Sequence, residues 1–227
     1  MAIRAKTGHQ RCSVCRLHPS ICMCEHLPRL DLQTRLTVVM HFVEVNKTTN
    51  TGSLALGCLQ NSRLSIFKGS NDEPDPPIFD EGEEPLLLFP SVTAVSLDQW
   101  EPTGKPVRLI VPDGTWRQAS KIRRRRKDLV SLRCVTLPPG PPTIYKLRNN
   151  PAENTVSTME AIARAMGVLE GPQVQEQLEA AFTMMMDRFL WMKGKKSAAE
   201  VRGGLPEGAK RHDPTSGLAR LNRPEAP

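Results

Sequence analysis

Residues 107 to 127 read VRLIVPDGTWRQASKIRRRRK: an apolar run, then Asp113-Gly114-Thr115-Trp116, then seven basic side chains from Arg117 to Lys127 with no acid before Asp128. Val107, Leu109, Ile110 and Val111 are rich in β-branched residues and lie between Pro106 and Pro112. A run of that length and kind reads as a buried strand of an α/β sheet. Ligands of such sheets bind where strands end. Asp113 therefore brings a carboxylate, and Trp116 a flat apolar face, to one edge, while Gly114 lets backbone and ligand approach closely. Two plainer readings stand beside this one: an Asp-Gly turn, and a tryptophan that anchors the core. Arg117, Lys121, Arg123, Arg124, Arg125, Arg126 and Lys127 crowd the same edge, where a polyanion would meet them first; a solvated helix face is the alternative.

Outward from this stretch, the 227 residues carry 39% hydrophobic side chains and a net charge of +7, enough for one domain with a core and an anionic partner. The sequence has no apolar stretch of membrane-spanning length and no apolar core of a leader near its start, so a cytoplasmic protein is expected. Cys12, Cys15, Cys22 and Cys24 form a C-x2-C-x6-C-x-C pattern within thirteen residues. In a reducing compartment that pattern favours structural zinc, with redox-active thiols as the alternative. His9, His18 and His26 are available as substitute ligands, whereas Cys58 and Cys134 read as small core residues.

Three parts are expected: a four-cysteine zinc motif over 8–30, a catalytic α/β domain over 31–192, and a flexible basic tail over 193–227 with eight Lys or Arg against four Asp or Glu. Strands are expected at 36–45, 64–67, 86–89 and 129–137, with a helix capped by Asn50 or Thr51 through Leu59. The Pro- and acid-rich segment 69–84 reads as an exposed loop. Pro138-Pro139-Gly140-Pro141-Pro142 stops the fourth strand, and Pro172 opens the last helix. Val174, Leu178, Phe182, Met185, Phe189 and Met192 recur there at steps of three and four, a core-facing stripe. Ser157 and Glu160 form a capping box ahead of the helical run to Met166, and such a helix start offers free amides to a carboxylate.

In order along the chain stand the cysteine cluster, Asn50-Thr51-Gly52, Leu87-Leu88-Phe89-Pro90-Ser91, Asp113-Gly114-Thr115-Trp116, Tyr145-Lys146-Leu147-Arg148 and Ser157-Thr158-Met159-Glu160-Ala161. Together they resemble the DTW-domain family of tRNA-uridine aminocarboxypropyltransferases over about residues 10 to 190. The resemblance implies a mostly parallel sheet with flanking helices, SPOUT-like, with a C-terminal trefoil knot around S-adenosylmethionine. It implies tRNA as partner, no membrane, and action as a monomer or homodimer. The donor site it implies draws Leu88, Phe89, Pro90 and Ser91 from one loop, and Asp113, Gly114, Thr115 and Trp116 from the next. Tyr145, Arg148, Ser157, Thr158 and Glu160 complete it.

The implied reaction joins N3 of a uridine to the methionyl carbon beside sulfur and releases methylthioadenosine. The uracil imide is a poor nucleophile while protonated, so Asp113 is the expected general base, with an anchor for the donor's ribose or amine as its alternative role. N3 lies on the pairing edge, and the base must leave its stack. Two rivals remain at this level: a SPOUT-like RNA methyltransferase using the same donor, and a non-catalytic zinc-dependent RNA-binding module.

Overall fold

Val107–Asp113 is the expected strand, and in the computed structural model it runs inside a six-stranded, wholly parallel sheet. The structure describes residues 2–4, 10–69, 76–145 and 155–211. In chain order the elements are β1 (Ala2–Arg4), β2 (Gln10–Cys12), β3 (Arg35–His41), α1 (Gly52–Cys58), β4 (Ser62–Phe67), β5 (Glu84–Leu88), β6 (Val95–Ser96), β7 (Val107–Asp113), α2 (Trp116–Arg125), α3 (Lys127–Val130), β8 (Arg133–Thr136), α4 (Thr158–Glu170) and α5 (Pro172–Met192). The sheet order is β4-β3-β7-β5-β8-β6, and β1 and β2 make a separate antiparallel pair.

Side chains alternate along each strand, so Leu109 and Val111 join Val38, Leu86 and Val135 in one core with α1, α4 and α5. Ile110 turns the other way and packs with Val39, Leu87 and Cys134 against Ala119 and Ile122 of α2 and Leu129 of α3. A sheet covered on both faces needs apolar residues at consecutive positions, which is why these strands read as unbroken runs. Each such aliphatic side chain contributes roughly 1.5–3 kcal/mol by leaving water.

Four expectations change. Leu129 belongs to α3, and only 133–136 of the expected strand 129–137 is extended. The turn has a cause: Arg126 is buried and binds Asp128 just ahead of Leu129, which commits the chain to a helical step. Strand β3 ends at His41, and Phe42–Glu44 coils into a 3-10 turn. Segment 69–84 is not uniformly exposed, since Ile78 fills the second core and Glu83 is buried against Arg108. After α5 the chain is not a free arm over 193–211: Lys196 and Arg202 bind Asp187, Val201 is buried, and Arg211 lies over Trp191 at 5.0 Å.

The cysteine segment is likewise built into the main core. Cys15, Leu17, Ile21 and Met23 share it with α5, and the buried Arg188 donates to the Cys22 carbonyl at 2.6 Å and the Ile21 carbonyl at 3.3 Å.

Candidate active site

Asp113 is the last residue of β7, at the carboxyl edge where sheets of this kind bind ligands. A cleft of about 690 Å³ opens at that edge. Its floor is formed by Leu88, Val111 and Val135, where β5, β7 and β8 end or approach their ends. Its walls come from Asn50 and Thr51 before α1, Phe89 and Pro90 after β5, Gly114 to Trp116 after β7, and Ser157 and Thr158 at the start of α4. Tyr145 also lines it, its ring 6.2 Å from that of Phe182 and its hydroxyl donating to the Thr49 carbonyl at 2.8 Å.

Asp113 is only 4% exposed, and both its oxygens accept hydrogen bonds. Asn50 Nδ2 donates to Oδ2 at 2.5 Å, and Thr158 Oγ1 donates to Oδ1. Three separate segments thus meet on one carboxylate. α1 approaches so closely that a Cβ at Gly52 would stand 3.0 Å from Oδ2, so a side chain there would push the carboxylate aside. Thr158 is in place because the expected capping box forms: the Ser157 hydroxyl accepts from the Glu160 amide, and Glu160 accepts from the Ser157 amide. Glu160 also accepts from Thr143 and from the Ile144 amide, which ties these two residues, next to Tyr145, to the start of α4.

Trp116 is 54% exposed and anchors no core. Its ring meets Phe89 edge-on at 6.2 Å, and Arg123 covers the Phe89 ring at 5.4 Å, leaving the indole as an open apolar wall. A second capping box starts α2, with Thr115 accepting from the Gln118 amide and the Gln118 side chain accepting from the Thr115 amide at 2.6 Å. Gly114 serves that box, because a Cβ there would come within 2.9 Å of the Gln118 side chain.

Not every expected residue gathers in the cleft. Ser91 lies outside its lining and pairs with Thr93, and Glu160 acts behind the wall. Arg148 lies outside the described residues. In the basic run, Arg117, Arg124, Arg125 and Lys127 are exposed, and Lys121 and Arg123 are half-buried. Arg126 is a correction: it is 1% exposed and spends its guanidinium on Asp128, Ser65 and the Pro76 carbonyl, so it faces no external polyanion.

The motif reading omitted Asn50 as a contact of Asp113, and it omitted Glu44 and Lys47. The latter two form an ion pair of 2.7 Å in the cleft wall. Asn50 follows β3, the neighbour of β7, so the sheet-edge rule applied to every strand marks its loop as part of the site edge, though not its bond to Asp113.

The four cysteines gather as their spacing predicts. Their sulfurs all lie within 4.8 Å of one another, with Cys12 to Cys24 at 3.3 Å and Cys15 to Cys22 at 3.7 Å. Four sulfurs around zinc stand about 3.8 Å apart when each Zn–S bond is about 2.3 Å. None is in a disulfide. Burial raises the Cys15 thiol and pushes Cys24 up to about 12. Burial opposes ionisation of Cys12 too, but hydrogen bonds from the Val14 and Cys15 backbone and from neighbouring thiols bring it down to about 7. A shared divalent cation is what would let all four ionise together. In the turn between the two pairs, Arg16 has φ +60°, the single side-chain-bearing residue at positive φ among those described. Such a backbone costs on the order of 1–3 kcal/mol.

These features define an α/β protein with a cleft at the carboxyl edge of a parallel sheet and a cysteine cluster packed into the same core. The chain belongs to the DTW-domain family, whose model matches residues 9–190. It is 29% identical over 176 residues to a Macaca fascicularis protein named tRNA-uridine aminocarboxypropyltransferase 2, covering 74% of this chain and 59% of that one. A Drosophila melanogaster protein of the same name is 27% identical over 176 residues, covering 74% and 70%. An Arabidopsis thaliana protein named tRNA-uridine aminocarboxypropyltransferase A is 26% identical over 218 residues, covering 78% and 80%. No solved structure matches the chain. Among the described residues, no helix is long and apolar enough to cross a membrane.

Proposed function

We propose that this chain transfers the 3-amino-3-carboxypropyl group of S-adenosylmethionine to N3 of a uridine in tRNA, a reading supported by its similarity to proteins named tRNA-uridine aminocarboxypropyltransferase. The observation that carries the reading is Asp113, held by Asn50 and Thr158 at the wall of a cleft with apolar and polar sides. The cleft suits the donor. Leu88, Phe89, Val135 and Ala119 offer apolar surface to an adenosyl group, and α4 begins at the cleft wall, where the positive end of its dipole favours a carboxylate. When bound, the sulfonium donor supplies an activated carbon and leaves as a neutral thioether.

Asp113 accepts the N3 proton as the N–C bond forms, and the C–S bonding pair stays on sulfur, so charge balances. Thr158 and Asn50 fix the direction from which the carboxylate reaches the imide. Trp116 offers a face on which the extruded base, or the adenine, can stack. Arg117, Lys121, Arg123, Arg124, Arg125 and Lys127 hold tRNA phosphates, a contact that positions the RNA and carries little sequence information.

The four-cysteine group holds one structural zinc with its coordination closed, away from the chemistry. Its free thiols fit a cytoplasmic setting. A SPOUT-like knot belongs to the same reading: α4, after β8, brings Thr158 back to the end of β7. Cofactor carrying its isotope in the methyl group alone tests the reaction class. The tRNA should stay unlabelled while nucleoside mass spectrometry finds aminocarboxypropyl-uridine, and methyl label in the RNA would refute the transfer.

A further inference from the structure

Behind Asp113 a line of polar groups runs out of the cleft and ends in the cysteine segment. Asn50, whose Nδ2 meets Asp113 Oδ2 at 2.5 Å, accepts through Oδ1 from the Ser53 amide and the Ser53 hydroxyl, both at 3.0 Å. The Ser53 oxygen accepts from Arg16 twice, from Nη2 at 2.9 Å and from Nε at 3.2 Å. Arg16, Ser53, Asn50 and Asp113 are all buried. Arg16 lies in the turn between Cys15 and Leu17, where its amide donates to the Cys12 carbonyl and the Cys12 amide donates to the Leu17 carbonyl.

We propose that Arg16 is a positioning residue for Asp113, acting through Ser53 and Asn50; the proposal rests on the transferase reading above. A guanidinium only donates. By occupying the serine lone pairs it leaves the hydroxyl one role, to donate its proton to Asn50 Oδ1. That donation, with the Ser53 amide, keeps the Asn50 oxygen turned away from the carboxylate and its NH2 turned towards it. The reversed amide would set oxygen against a carboxylate oxygen. The backbone of Arg16 supplies an independent sign of purpose, because a left-handed conformation in a residue other than glycine persists only where its surroundings enforce it. What enforces it is the fold of the cysteine turn, so the cysteine segment sets the aim of the base as well as stabilising the chain.

The relay is tested in the full chain with Ser53→Ala, Arg16→Ala, Arg16→Lys and the double alanine variant, each assayed for transfer to tRNA and for zinc content. Ser53→Ala keeps the cysteine turn intact, and alanine suits a helix. Turnover in both single alanine variants should fall about tenfold, the scale of one hydrogen bond that orients a charged group, with KM for tRNA unchanged. The double variant should be no worse than either single, and Arg16→Lys should recover part of the loss. A readout independent of reaction is the NMR signal of the Asn50 side-chain amide, which should shift and exchange several-fold faster in Ser53→Ala. Losses that multiply in the double variant, or Ser53→Ala with wild-type turnover and an unmoved Asn50 signal, would overturn the relay. If Arg16→Ala loses zinc, Ser53→Ala decides. A wild-type chain that transfers nothing counts against the reaction class, and the Asn50 signal still judges the relay.

Discussion

Asp113 combines two conditions that usually exclude each other: it is buried, yet it borders a cleft. Burial of a carboxylate is tolerable because Asn50 and Thr158 donate to its oxygens. Asp113→Asn preserves shape but removes the proposed proton acceptor, and it sets an amide NH2 against donors that had faced oxygen. Turnover should drop about 10²–10⁴-fold, the contribution of a placed general base, while the tRNA dissociation constant changes little. Binding measured by filter retention beside single-turnover transfer separates the two, and a variant with near-normal turnover would remove Asp113 from the chemistry. At this scale the sequence was informative where chemistry is local. Asp113 through Trp116 and the box from Ser157 to Glu160 are contiguous signatures. Asn50 was not legible as a contact of Asp113, because 63 positions separate them and no periodicity reports a side-chain bond across two strands. The exposure of Trp116 was hidden for a similar reason, since it depends on Phe89 taking the place below it.

At the scale of elements, α2 shows how a charge run divides. Thr115 and Gln118 start the helix, a T-x-x-Q signature present in the sequence but passed over beside the Asp-Gly-Thr-Trp loop. Once the helix forms, its geometry sends Ala119 and Ile122 to the sheet and most of the cations outward. Arg126 is the exception, because the helix has ended and the next side chain turns in to Asp128 and Ser65. The four consecutive arginines therefore should not behave alike. Arg124→Ala should weaken tRNA binding a few-fold and lower the slope of log affinity against log salt by about one. Arg126→Ala should leave that slope intact and cost roughly 1–3 kcal/mol in stability, since it removes a buried guanidinium and leaves Ser65 and the half-buried Asp128 without their partner. Salt titrations and denaturant melts of the two variants check both; equal salt slopes would return Arg126 to the proposed RNA face. The same half-buried pair explains why the apolar run from Leu129 looked like one strand and is a helical turn followed by β8. Hydrophobic content is similar in both states, and the deciding contact is tertiary.

Across the whole molecule the two ends of the sheet do different work. The carboxyl edge holds the cleft, and near the amino edge Arg35, Arg63 and Arg108 of β3, β4 and β7 converge on Asp80 and Glu83 before β5. This cluster ties together strands that are distant in the chain, and the acid-rich composition of 69–84 concealed it by resembling a solvated loop. Glu83 is its centre, binding Arg108 at 2.5 Å and 2.7 Å and Arg35 at 2.7 Å. Burial disfavours its charge, but hydrogen bonds from Arg108, the Asp80 amide and Arg35 outweigh that and hold its carboxyl down at about 2, against an ordinary 4.5. A folded-state value below the unfolded one means that the unfolded chain takes up the proton first as pH falls. The stabilisation is therefore complete above about pH 4.5 and is lost progressively towards pH 2, on the order of 3 kcal/mol over that window. Glu83→Gln removes the titrating group and leaves Arg108 short of charge. It should lower stability near neutrality by a few kcal/mol and flatten the decline between pH 4.5 and pH 2. Thermal melts of both proteins across that range measure it; parallel curves would show that other carboxylates govern acid unfolding. The cleft lies at the opposite edge, so transfer by Glu83→Gln at a temperature where it remains folded should match the wild type.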